Sequence, residues 1–143
     1  MPNTTGNTGI IGDDYVNEAE KIMDCLMNNR NNEFSNPKSF KDFKEKMTTS
    51  KIRNILSMVN DIYNREFNRQ EENLRDESYA LLQRMRVRLV YEAGRTSAVK
   101  KFVQRTKLLD YIAGVEKNRE NFLKLARYME ALVAYHRFFG GKE

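Results

Sequence analysis

Arg84, Arg88, Tyr91 and Arg95 recur at i, i+4, i+7 and i+11, a spacing that sets them within about 60 degrees of one another on an unbroken helix. Guanidinium groups grip phosphate oxygens and a tyrosine ring stacks on a base or ribose, so such a ridge suits a sugar-phosphate backbone. The same ridge also reads as solvated helix surface, or as one side of salt bridges to the acidic 61–77 stretch of another subunit. Gly94 bears on the choice, because a helix that ends there takes Arg95 out of the ridge. A second constellation is Thr48-Thr49-Ser50-Lys51-Ile52-Arg53-Asn54. Here hydroxyls, two cations and the free amides of a helix start meet, which makes either an anion site or an ordinary N-cap with exposed bases.

Catalytic constellations are missing from the sequence. One histidine and one cysteine rule out a Cys/His zinc cluster, and nothing beyond coexistence recommends Cys25 with His136 as a dyad. His136 shares the apolar face of the last helix, so it reads as a satisfied core or boundary residue. Gly6, Gly9 and Gly12 have the wrong spacing for a dinucleotide loop, and no phosphate-binding Gly-Lys-Ser/Thr loop exists. Neighbouring acids such as Glu71 and Glu72, or Glu116 and Glu120, are normal helix surface. The expectation is a protein that is not an enzyme and carries no cofactor or metal.

The elements that must position these residues are helices. From Lys38 to Phe139 there is no proline, and only Gly94 and Gly114 interrupt. Apolar residues at helical spacing predict a helix over 14–28, a short one around Phe40, Phe43 and Met47, and a strong one from Thr48 or Thr49 to about Asn68. Further helices are expected over 71–93, from Thr96 or Ser97 towards Gly114, and over 118–139. The last is apolar over more than a surface stripe, which places it centrally in the bundle or at a protein interface through Tyr128, Leu132, Tyr135 and Phe139. The prediction is an all-α compact bundle of about five helices in a single domain, residues 13–143, with a polar linker over 28–39 and a disordered N-terminal segment over 1–12.

Composition agrees with a folded, positively charged chain. The 143 residues are 40% hydrophobic, with eight Phe and seven Tyr, and carry a formal net charge of +5. That is enough apolar material for one core. Between residues 84 and 107 the bases Arg84, Arg86, Arg88, Arg95, Lys100, Lys101, Arg105 and Lys107 face one acid, Glu92, a footprint that a polyanion would read. A lone thiol cannot form an internal disulfide, and no stretch approaches the length of a membrane span, so a cytoplasmic protein without membrane association is expected.

Three stretches carry more than periodicity: Thr48 to Tyr63 (TTSKIRNILSMVNDIY), Arg86 to Arg95 (RVRLVYEAGR) and Tyr128 to Tyr135 (YMEALVAY). In order and spacing they resemble signature stretches of the small subunit of the type III-A CRISPR effector, the Csm complex, and the resemblance covers roughly 38–141. It implies a non-catalytic helical subunit present in several copies. These stack into a filament beside the backbone subunits, enclose guide RNA and target RNA, and meet the large signalling subunit at one end. It also implies RNA-facing roles for Lys51, Arg53, Asn54, Arg86, Arg88 and Arg95. Charge placement alone adds Arg84 and Lys101. Since guide pairing would read the sequence, such a subunit need only hold a backbone. The alternative is a helical adapter or transcription regulator that uses its basic helix on DNA.

Overall fold

The computed structural model describes residues 10–143, and among them every regular element is helical. Seven α-helices follow in order: α1 (Tyr15–Asn28), α2 (Pro37–Lys46), α3 (Thr49–Glu66), α4 (Asp76–Arg95), α5 (Ser97–Thr106), α6 (Leu108–Val115) and α7 (Arg119–Phe138). A 3-10 turn, Arg30–Asn32, follows α1. The all-α expectation holds, with seven helices in place of about five.

The starts of α2, α3 and α7 follow the capping signals. The side chains of Asn36, Thr48 and Asn118 accept from the backbone amides of Ser39, Lys51 and Asn121, each satisfying a donor that a helix start leaves without an internal partner. Of the two places left open for the last helix, a central one or a protein interface, its packing shows the central one. α7 packs against α1, α3 and α6 and buries Phe122, Leu125, Met129 and Leu132 in the common core.

Three boundaries differ from the sequence reading, each for a tertiary reason. The helix expected from Glu71 begins at Asp76, because the preceding residues are bonded to the start of α7. The Leu74 amide donates to the Lys117 carbonyl at 2.7 Å, the Arg119 amide to the Glu72 carbonyl at 2.8 Å, and the Arg119 guanidinium to the carbonyls of Glu71 and Glu66. Glu66, fully buried, anchors this junction by accepting from Arg69 and from the Arg75 amide. Gly94 does not end α4, which runs on through Arg95. The break comes at Lys107 instead, where a left-handed φ of 61° splits the helix expected from Thr96 into α5 and α6. Beside it the buried Thr106 hydroxyl donates back to the Phe102 carbonyl, a bond that competes with regular helix.

The N-terminal part also departs from expectation. Most of the segment expected to be disordered lies outside the described residues, but Ile11 at its end is 3% exposed and joins the core. The 28–39 stretch is not a free linker. It contains the 3-10 turn and the first residues of α2, and Phe34 inserts its ring between Phe40 and Phe43, with centroids 5.4 Å from each.

Candidate nucleic-acid interface

α3 and α4 lie side by side with α5 across one end, and a groove of about 440 Å3 opens between the three. From α3 come Lys51, Asn54, Ile55 and Met58; from α4 come Arg88, Leu89, Glu92 and Arg95; Thr96 and Val99 close the end. Arg84 lines an adjoining depression of about 210 Å3 that shares Met58 and Arg88 and includes Asp61. Residues far apart in sequence, Lys51 and Asn54 on one side and Arg88 and Arg95 on the other, therefore face one channel. Because α4 is unbroken to Arg95, the helical ridge includes that residue, and its guanidinium stands 5.7 Å from the centre of the Tyr91 ring.

Local charges set the groove's electrostatics. Glu92 lies 3.8 Å from Arg88 Nε and 3.7 Å from Arg95 Nη1. These are i, i+4 and i, i+3 pairs on an exposed face, individually worth a few tenths of a kcal/mol at about 0.2–0.5. Among the described residues, Lys51 and Arg84 form no ion pair within 4 Å. With three cations and one carboxylate in its lining, the groove keeps a net positive charge.

The other predicted residues go elsewhere. Arg53 points to the chain's end, its Nη1 3.2 Å from Glu143 Oε1. Arg86 lines a separate shallow depression with Gln83, Val87 and Val90, as expected from its position on the helix. Lys101 is engaged within the fold: its Nζ lies 2.9 Å from Glu33 Oε2, donates to the Glu33 carbonyl at 3.0 Å, and sits 4.9 Å from the Phe34 ring centre. Arg105 binds the other Glu33 oxygen at 2.8 Å. Burial pushes the Glu33 carboxyl up, but hydrogen bonds and charge from Arg105 and Lys101 outweigh that and hold it below its ordinary range. Lys101 thus fastens the 3-10 turn region to α5 and is not an open cation.

The helix start at Thr48 is capped, and two of its first three amides are already used: Lys51 donates to the Thr48 hydroxyl, and Thr49 donates to the Lys142 carbonyl at 2.6 Å. The C-terminal tail therefore closes over the end of α3. His136 completes this corner with Nδ1 3.1 Å from the Thr49 hydroxyl and Nε2 2.9 Å from the Met47 carbonyl. It is fully buried, and Gly141 passes so close that an added Cβ would overlap the ring. Burial pushes the imidazole below its ordinary value, as befits a satisfied core histidine.

The expected protein interface is narrowed as well. Tyr128 and Leu132 are fully buried, and the Tyr128 hydroxyl donates to the Thr106 carbonyl at 2.9 Å, so both belong to this chain's own core. Tyr135 and Phe139 are half-buried and form an aromatic group with Phe138, which is 76% exposed. The sequence reading named Glu92 as the one acid of the basic stretch but missed its place between Arg88 and Arg95, legible from the i, i+4 and i, i+3 spacing. It also missed the apolar groove floor, since nothing in the spacing of Met58 and Val99 says that α5 would lie across the α3–α4 cleft.

Comparison with known proteins completes the picture. The family described as Csm2 Type III-A matches residues 26–142. The protein named "CRISPR system Cms protein Csm2" from Streptococcus thermophilus is 35% identical over 132 residues, covering 92% of this chain and 95% of that protein. The protein of the same name from Mycobacterium tuberculosis (strain H37Rv) is 34% identical over 134 residues, covering 94% and 98%. A relative from Enterococcus italicus is 37% identical over 97 residues, covering 65% of this chain and 68% of its own. With a helical bundle whose signature stretches fall on α3, α4 and α7, the chain belongs to the Csm2 family, the small structural subunit of type III-A CRISPR effector complexes.

Proposed function

We propose that this subunit lines the RNA channel of the complex without catalysing a reaction. Several copies stack through protein contacts, and in each the α3–α4 groove holds the backbone of guide or target RNA through Lys51, Asn54, Arg88 and Arg95, with Arg84 at its open end. The observation that carries this reading is the convergence of the cations of two distant signature stretches on one groove. Phosphate oxygens are the natural ligands of such a set, and binding through them releases counterions without reading sequence. The DNA-regulator alternative fits less well, because the cations of α4 face a cleft against α3 instead of standing on a free recognition helix.

Contacts to the neighbouring copy, to the backbone subunits and to the large signalling subunit require apolar surface. The aromatic group at the end of α7 supplies it: Phe138 stands 76% exposed beside Tyr135 and Phe139. A role on guide and target RNA fits a cytoplasmic protein. Among the described residues, no helix is long and apolar enough to cross a membrane.

The test is RNA binding at several salt concentrations. Lys51→Ala and Arg95→Ala are expected to weaken binding of a single-stranded RNA and to flatten the logarithmic salt dependence, by about 0.7 for each phosphate that the variant no longer holds. Unchanged slopes in both variants would remove the groove from the RNA path. Phe138→Glu is expected to leave thermal melting and RNA binding in place while lowering recovery of the assembled complex.

A further inference from the structure

The groove is built for more than a phosphate. Its floor is apolar, formed by Ile55 and Met58 of α3, Leu89 of α4 and Val99 of α5, whereas a phosphate track needs only donors and cations. Its volume of about 440 Å3 falls within the range of small-molecule pockets, about 300–1,000 Å3. Charge is distributed to match. Glu92 holds a carboxylate between Arg88 and Arg95, so the middle of the groove repels an anion. Cations stand towards its two ends, Lys51 and Arg95 at one and Arg88 leading to Arg84 at the other. A ligand that follows this pattern is anionic at two points and uncharged and partly apolar between them.

Resting on the RNA-channel reading, we infer that this groove is a nucleobase subsite: one unpaired base of the bound strand lies against the Met58 floor while its flanking phosphates reach the cations at the ends. Apart from the cations that take the phosphates, Asn54, Thr96 and Glu92 are the polar lining groups; the base is held chiefly by the apolar floor, which every base face fits, so the subsite accepts any base. The base contributes by leaving water for an apolar surface, and the phosphates set register. Tyr91, 60% exposed and outside the groove lining, is not part of this floor.

The full chain decides this by fluorescence anisotropy with two labelled strands, an oligouridylate of about ten nucleotides and an abasic ribose-phosphate strand of the same length. The wild-type protein is expected to bind the base-bearing strand about tenfold more tightly, with equal salt slopes because the phosphates are the same. Met58→Gln, a polar change of similar length at a half-buried position, should erase that ratio by weakening the base-bearing strand alone, and Tyr91→Ala should leave it intact. Equal affinity of the wild-type protein for the two strands, which needs no variant to measure, overturns the subsite. So does a ratio lost on Tyr91→Ala but kept in Met58→Gln. Should Met58→Gln keep both affinities and instead block assembly of the complex, the groove holds a protein side chain and the inference is wrong. Salt slopes unaffected by Lys51→Ala and Arg88→Ala would count against the backbone reading, while the strand ratio reports on the subsite separately.

Discussion

Two regions draw cations from the same basic stretch and use them in opposite ways. In the α3–α4 groove, Arg88 and Arg95 are 67% and 59% exposed and share Glu92 at nearly 4 Å, an arrangement that a phosphate can displace at little cost. At the 3-10 turn, Lys101 and Arg105 are about one-third exposed, and both bind Glu33, itself 10% exposed, at 2.9 Å and 2.8 Å. Breaking that set strands charge in a partly dry site. Charge counted along a chain therefore says how many cations exist, while the depth and distance of the nearest carboxylate decide whether they are free to bind.

The sharpest way to break this contrast is at Glu33. Glu33→Gln is expected to cost about 2 kcal/mol, read by urea unfolding, because two cations lose a charged partner, and it should leave the salt slope of RNA binding unchanged. A shallower slope would mean that Lys101 reaches RNA after all. The same carboxylate sets a pH dependence. Since its folded pKa lies below its ordinary 4.5, its contribution is complete above that value and is lost as pH falls through the folded pKa. Acid unfolding curves of Glu33→Gln should be flatter in this range, with a residual slope from Glu66, whose pKa is lowered in the same direction.

His136 gives an effect of similar size from the neutral side of the molecule. His136→Ala leaves a cavity and the Met47 carbonyl without its donor, for a loss of about 2 kcal/mol, with target cleavage by the assembled complex otherwise unchanged. Its folded pKa lies below 6.5, so the unfolded chain binds the proton first. Wild-type stability should fall as pH drops below about 6.5, and the variant should lose that part of the dependence. An identical pH profile would show that the imidazole is not held neutral.

The groove predicts the converse pattern. Arg88→Ala should change stability by no more than about 0.5 kcal/mol, yet flatten the salt dependence of RNA binding by about 0.7. The smallest effect is expected at Arg53, whose exposed pair with Glu143 is worth little. Arg53→Ala should move neither melting nor salt slope, and a flattened slope there would extend the RNA path across the C-terminal tail.

Much of this molecule is legible in its chain alone. Helical periodicity and capping residues depend on neighbours within one turn, so the all-α class, the cap at Thr48, the buried His136 and the Arg84-Arg88-Arg95 face could be read from the residues themselves. The signature stretches likewise carried the family. What tertiary structure alone decided involves partners distant in sequence. Glu33 claims Lys101 across 68 positions, Arg119 holds Glu71 and Glu72 out of a helix, and the C-terminal tail takes the Thr49 amide. Tyr128 and Leu132 became core because α1, α3 and α6 surround α7. A helix's apolar breadth reports how much surface must leave water; which element covers it is decided only when the other helices pack, and the same packing turned two separate basic stretches into one groove.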